Sequence, residues 1–263
     1  MEPAVLLGVV DGVATVTLRN PAKRNALTPD MWRELAATVT GLAARPDVRT
    51  LVLTGYGGTF SAGAEISGLR AGTAPRELAS AAEEALAAFP GPTLAAIRGH
   101  CVGGGCQLAV ACDLRFAAED AVLGVTPARL GLVYPAGATA RLARLVGPAT
   151  AKYLLFSAEL IDAPRALAYG LVNEVHPTAG LDERVAGFTA TLAARSRLTQ
   201  QAAKEFVDRG PAGAHTARWS RPDGAERELA EGVAAFLERR APRFDWPARP
   251  GRGAVGRSGD GPA

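Results

Sequence analysis

Two apolar, β-branched runs open the chain, Ala4–Val10 and Val13–Arg19, separated by Asp11-Gly12. Asp-Gly supplies the positive φ angles of a two-residue turn, so the pair predicts a β-hairpin. Thr28-Pro29 reads as an N-cap and first helical residue, opening a helix that runs to Ala44. A short buried strand, Thr50–Thr54, leads into a glycine-rich loop, Gly55–Gly63. Helical and strand patterns then alternate: helix Arg76–Ala88, strand Thr93–Arg98, helix Gly103–Ala111, strand Leu114–Ala117, and helices Ala138–Val146 and Ala149–Phe156. Short apolar strands alternating with helices predict an α/β core around a buried, largely parallel sheet.

Beyond Asn173–His176 the pattern changes. Leu181–Ala194, Leu198–Arg209 and Ala225–Arg240 are helical with no strand between them, Pro211–Asp223 reads as a loop, and Arg249–Ala263 is rich in Gly, Pro and Arg. The expected organisation is a core over 1–192, a helical region over 193–245 and a disordered tail over 246–263. No internal repeat of 20–50 residues is visible.

Composition narrows the classes. With 263 residues, 48% hydrophobic and 21% charged, the chain can bury a sizeable core, which excludes general disorder. Three cysteines, Cys101, Cys106 and Cys112, are odd in number, and their spacing fits neither a disulfide scaffold nor a zinc site, so no metal is expected. The net charge of +3 comes almost wholly from Arg, without a basic stripe interleaved with aromatics, so no nucleic-acid partner is expected. Met1-Glu2-Pro3 has no basic leader, and no run approaches the roughly 18 apolar residues of a membrane span. The expectation is a soluble, cytoplasmic protein without a membrane partner.

Chemistry concentrates in two glycine-rich segments. Gly103-Gly104-Gly105 follows a strand and opens a helix, where backbone N–H groups and the positive dipole end are exposed. A phosphate loop would need Gly-Lys-Ser/Thr, whereas Cys106-Gln107 follow, and GxGxxG is absent. The turn is therefore either an oxyanion hole or a close packing turn. The segment from Gly55 to Ile66 also ends a strand, so two such loops could each aim one N–H at a shared oxygen.

Five ordered segments then carry a resemblance: Asn20–Leu27 (NPAKRNAL), Phe60–Ile66 (FSAGAEI), Gly103–Asp113 (GGGCQLAVACD), Leu130–Leu132 (LGL) and Glu231–Phe244 (EGVAAFLERRAPRF). Over roughly residues 4 to 244 the chain resembles the crotonase (enoyl-CoA hydratase/isomerase) superfamily. The resemblance implies a spiral of ββα units with a helical C-terminal region that forms a homo-oligomer, a trimer or a dimer of trimers. It implies an acyl-CoA thioester as partner, with CoA as part of the substrate and no other cofactor. The oxyanion hole would be the N–H groups of Ala64 and Gly104. Ala62, Gly63, Glu65 and Ile66 would line the thioester path, and Lys23 and Arg239 would meet the nucleotide end.

The departures are informative. Hydratases of the family use two glutamates; here the first position is Gln107 and the second is Pro127. An amide cannot take a proton from water at neutral pH, and proline carries no base. Decarboxylation of a malonyl-type thioester tolerates that loss, because expelling CO2 generates the enolate without proton abstraction. The segment Thr126–Tyr134 is similar to that of methylmalonyl-CoA decarboxylases, which implies Thr126 as a substrate contact and Tyr134 as a catalytic hydroxyl or carboxylate-orienting group. Those enzymes carry His and Glu where this chain has Ala64 and Gln107. The favoured expectation is a lyase that decarboxylates a methylmalonyl-like CoA thioester. Three others stay open: a hydratase or isomerase with a displaced base, such as a carboxylate in Ala71–Glu84; a biosynthetic lyase acting on CoA- or carrier-bound acyl groups; and a non-catalytic acyl-CoA binder. Structural roles are expected for His100, for Asp113 as a brace of the glycine helix, and for Glu65 in orienting its loop.

Overall fold

The structure is a computed structural model, and it describes residues 1–65, 76–211, 213–220 and 224–246. Ile66 and the segment 247–263, which holds most of the expected tail, lie outside the described residues.

The N-terminal hairpin forms as the Asp-Gly turn requires. Strands β1 (Ala4–Val10) and β2 (Val13–Arg19) pair antiparallel, and Asp11 and Gly12 have φ of 49° and 77°. Helix α1 (Pro29–Ala43) begins where Thr28 accepts a hydrogen bond from the Met31 amide and buries Met31, Trp32, Leu35, Val39 and Leu42 on one face. Strand β3 (Thr50–Gly55) pairs parallel to β2, with Val16 opposite Leu53.

The chain continues through α2 (Arg76–Ala88), β4 (Thr93–Ile97), β5 (His100–Val102), α3 (Gly104–Ala111), β6 (Leu114–Ala118) and β7 (Val122–Gly124). Next come α4 (Ala136–Val146), α5 (Pro148–Ser157), β8 (Ile161–Asp162), α6 (Ala163–Ala168) and β9 (Glu174–His176). Six strands form one sheet in the order β1-β2-β3-β4-β6-β9, parallel except for the first pair. A second sheet of three short strands, β5-β7-β8, stands apart from it. This is the crotonase-like α/β fold that the resemblance implied.

Every position of β4 is buried, as a central parallel strand covered on both faces demands. Arg115 lies in this core at 2% exposure, and its guanidinium donates to the carbonyls of Cys112 and Leu171 and to Asn173 Oδ1. Those bonds satisfy the buried cation and tie β6 to the turn that precedes β9.

Helices α7 (Leu181–Ala193), α8 (Arg197–Arg209), α9 (Ala214–Ser220) and α10 (Ala225–Leu237) complete the described chain. Helix α9 corrects the expected loop over Pro211–Asp223. Its Trp219 is buried and donates its indole N–H to Glu205 of α8, a contact invisible to a local pattern bounded by Pro and Gly. Trp246 is also buried, and its amide donates to Glu228 of α10. Among the described residues, no helix is long and apolar enough to cross a membrane.

Candidate active site

The two glycine segments meet. Ser61 and Cys101 form an isolated parallel bridge, as do Leu27 and Ala64. In the second bridge, the Leu27 amide donates to the Gly63 carbonyl at 2.7 Å and the Glu65 amide donates to the Leu27 carbonyl at 3.0 Å. These two bonds flank Ala64, so the pairing turns its own N–H away from Leu27. Gly104 is the first residue of α3, where an N–H has no partner within the helix. A Cβ built on Gly104 would stand 3.4 Å from the Ala64 amide nitrogen, and one built on Gly63 would stand 2.9 Å from the Gly104 nitrogen. Two amides with no backbone partner among the described residues thus lie side by side, close enough to donate to one oxygen.

Glycine is required for that approach. Gly63 has φ of 96°, in the left-handed region, and any side chain there would meet the Val102 carbonyl oxygen at 2.7 Å. Ser61 is buried, and its hydroxyl donates to the Asn25 carbonyl and accepts from the Gly63 amide, which fixes the loop from beneath.

The amides open onto a cavity of about 510 Å³. Ala62, Ala64 and Glu65 line it from the first loop, and Gly104 and Gln107 line it from α3. Thr126 and Tyr134 close another side, together with Pro127. Much of the remaining wall is apolar: Leu27, Ala79, Leu132 and Leu160, with the Trp32 ring against Gly104. The single chain does not bring Lys23 and Arg239 to this wall. Lys23 is exposed on the turn Pro21–Lys23, and Arg239 is exposed beyond the end of α10.

The two positions without a carboxylate keep that character in space, since Gln107 and Pro127 both face the cavity. Behind Gln107 lies Glu83 of α2, at 2% exposure, whose Oε2 accepts from Gln107 Nε2 at 2.5 Å. Arg141 of α4 pairs with the other oxygen of Glu83 and also reaches Glu84 at 3.2 Å. Burial raises the Glu83 carboxyl above its ordinary range, and the Gln107 bond and the Arg141 charge work against that rise.

Tyr134 is pushed well above the normal tyrosine range, first by burial and then by the nearby Cys106 and Glu83. It stays a neutral phenol at physiological pH, a donor and not a base. Burial likewise raises the Cys101 thiol, and it takes Cys112 up to about 12, so neither supplies a thiolate nucleophile. Asp113 braces β4 and α8: its Oδ2 accepts from the Thr93 amide at 2.7 Å and from Lys204 Nζ at 2.8 Å. His100 faces outward to Arg24 at 3.4 Å.

Trp32, Arg129 and Arg141 escape a reading of the sequence, and Glu83 enters it only as one carboxylate of the stretch Ala71–Glu84. Trp32 looks like one more apolar position of an amphipathic helix, and Glu83 and Arg141 are 58 residues apart. Arg129, exposed on the turn Pro127–Leu130, sets a positive charge at the solvent side of the cavity.

Comparison with known proteins agrees with this architecture. The sequence pattern of the enoyl-CoA hydratase/isomerase family matches residues 8–247. The chain is 35% identical over 270 residues to the mitochondrial enoyl-CoA hydratase domain-containing protein 2 of Bos taurus, covering 93% of this chain and 88% of that one. It is 32% identical over 252 residues to the crotonyl-CoA hydratase of Syntrophomonas wolfei, covering 91% and 97%. A crystal structure of an enoyl-CoA hydratase/isomerase family member superposes with a TM-score of 0.88 at 39% identity, covering 94% of this chain and 98% of the other. With the pattern spanning most of its length and the paired amides in one cavity, the chain belongs to the enoyl-CoA hydratase/isomerase family.

Proposed function

We propose that the protein decarboxylates a malonyl-type acyl-CoA thioester, of which methylmalonyl-CoA is the test case. The observation that carries this reading is a cavity lined by Ala64 and Gly104, whose amides lie side by side, with no carboxylate at either Gln107 or Pro127. The bond from the α-carbon to the carboxylate breaks, CO2 leaves, and the electron pair flows into the thioester as an enolate. The N–H groups of Ala64 and Gly104 receive the growing negative charge on the thioester oxygen. Tyr134, held neutral by burial, orients the carboxylate or delivers a proton to the α-carbon. Thr126 is a substrate contact, and Ala62, Gly63, Glu65 and Ile66 form the thioester path. Lys23 and Arg239 serve the CoA phosphates. CoA belongs to the substrate, and the reaction needs no separate cofactor.

The names of the relatives favour a second reading, enoyl-CoA hydration. Hydration needs a base for water, and among the described residues Glu65 is the carboxylate in the cavity wall. Incubation with methylmalonyl-CoA and with crotonyl-CoA separates the two. CO2 release that is lost in Tyr134→Phe supports decarboxylation, whereas turnover of crotonyl-CoA alone overturns it. Tight CoA binding without turnover of either identifies a binder.

The homo-oligomer, a trimer or a dimer of trimers, is supported by an apolar face on α10, where Leu229, Phe236 and Leu237 are exposed. Sedimentation of the full chain as a monomer would exclude it.

A further inference from the structure

We propose that Glu83 is a positioning residue: it holds the Gln107 side chain with its amide nitrogen turned inward and its carbonyl oxygen toward the cavity. A substrate carboxylate at that end of the cavity then meets an acceptor and not a donor.

Gln107 stands one turn beyond Gly104 on α3, so it faces the acyl carbons next to a thioester whose oxygen rests on the Gly104 amide. Its side chain is nearly sealed, at 5% exposure, and its Nε2 lies 2.5 Å from Glu83 Oε2. An ionised carboxylate only accepts, so the partner it fixes must be the amide nitrogen. The Arg141 guanidinium on the other carboxylate oxygen and the Gln107 bond oppose the burial that raises this carboxyl, and the ionised form they favour is the one that fixes the amide nitrogen. With the nitrogen claimed, the carbonyl oxygen points away from Glu83. The Tyr134 phenol lies within electrostatic reach of both Glu83 and Arg141, so it belongs to the same end of the cavity.

The consequence rests on the decarboxylase reading. A carboxylate desolvated beside a fixed acceptor oxygen gains no hydrogen bond from Gln107 in the ground state. The repulsion fades as its charge passes into the enolate held by the two amides. In Glu83→Gln the partner becomes an amide that can donate or accept. Gln107 is then free to turn and donate to the carboxylate, so substrate binds more tightly and turns over more slowly.

The test uses two CoA thioesters of matched chain length, succinyl-CoA, whose acyl end is a carboxylate, and butyryl-CoA, whose end is a methyl. Dissociation constants are measured for the full chain, for Glu83→Gln and for Gln107→Met, each shown folded by thermal melting. Wild type is expected to bind succinyl-CoA more weakly, and Glu83→Gln to narrow the gap about fivefold by tightening succinyl-CoA alone. Methionine has neither amide group, so Gln107→Met also narrows the gap if the oxygen faces the cavity and widens it if the nitrogen does. An unchanged ratio in Glu83→Gln, or a wider one in Gln107→Met, overturns the proposal. Neither ligand depends on CO2 loss, so the ratio reports the amide whether or not the decarboxylation assay succeeds.

Discussion

The amide nitrogen of Ala64 lies 3.4 Å from the position a Cβ on Gly104 would take, and the Trp32 ring lies 3.1 Å from the same point. The hole between the amides is therefore walled on one side by an aromatic plane. A methyl at Gly104 must push the ring by a few tenths of an ångström or stand in the path of the thioester oxygen. Gly104→Ala is expected to fold, because alanine suits the first turn of a helix, and to lose turnover by about 10²-fold, comparable to removing one oxyanion donor. Normal turnover by this variant would move the reacting oxygen elsewhere.

Gly63 predicts a different failure. Its φ of 96° disfavours any side chain, and a Cβ would come within 2.7 Å of the Val102 carbonyl and 2.9 Å of the Gly104 nitrogen. All of these are backbone obstacles, so relief requires one loop to move off the other. Gly63→Ala should cost about 3 kcal/mol in urea unfolding, adding left-handed strain to overpacking. A loss below about 1 kcal/mol would mean that the two loops are not locked together.

What could be read from the chain followed the range of the interactions involved. The hairpin, α1 and the glycine-led α3 rest on neighbours: Asp11-Gly12, Thr28-Pro29 and the triple glycine each act within a few residues. The paired amides were also accessible, because the strand-ending loops are visible locally and the family pattern joins them. Strands β5, β7, β8 and β9 have two or three residues each, too few for any period to register. Helix α9 is tied to the fold through Trp219, whose indole N–H donates to Glu205 on another helix. Glu83 lay within a stretch considered for a displaced base, yet only the fold shows it behind Gln107, 24 residues away, with Arg141 across it.

Arg129 gives a prediction in solution electrostatics. Exposed at the cavity's solvent side, it adds a positive charge where an anionic CoA ester would enter. Screening weakens such an attraction over a Debye length of about 10 Å at 0.1 M salt. Arg129→Gln should raise KM severalfold at low ionic strength, with kcat little changed, and the gap to wild type should close as salt rises. A KM effect that persists at high salt would indicate a direct bidentate contact, and no effect at low salt would remove Arg129 from the entry path.

The Glu83 carboxyl sets a pH dependence of stability whose sign can be worked out. Its pKa in the folded chain is raised, chiefly by burial, above the ordinary 4.5. Arg141 and the Gln107 amide oppose that rise, Glu84 adds to it, and burial outweighs the rest. As pH climbs through 4.5 the unfolded chain gives up this proton first, while the folded chain still holds it. The folded state then binds more protons than the unfolded one, so stability falls with rising pH across the window between the two values. The contribution is fully present below 4.5 and is lost once pH exceeds the folded value. Glu83→Gln has no such proton, and all other titrating groups, including the Arg240-paired Glu231 that is held down to about 2, are common to both proteins. The melting temperature of wild type minus that of Glu83→Gln should therefore decrease as pH is raised from about 4 to about 8. A difference that stays level would mean that Glu83 titrates alike folded and unfolded, and one that increases would mean that Arg141 outweighs burial and holds the carboxylate below its ordinary range.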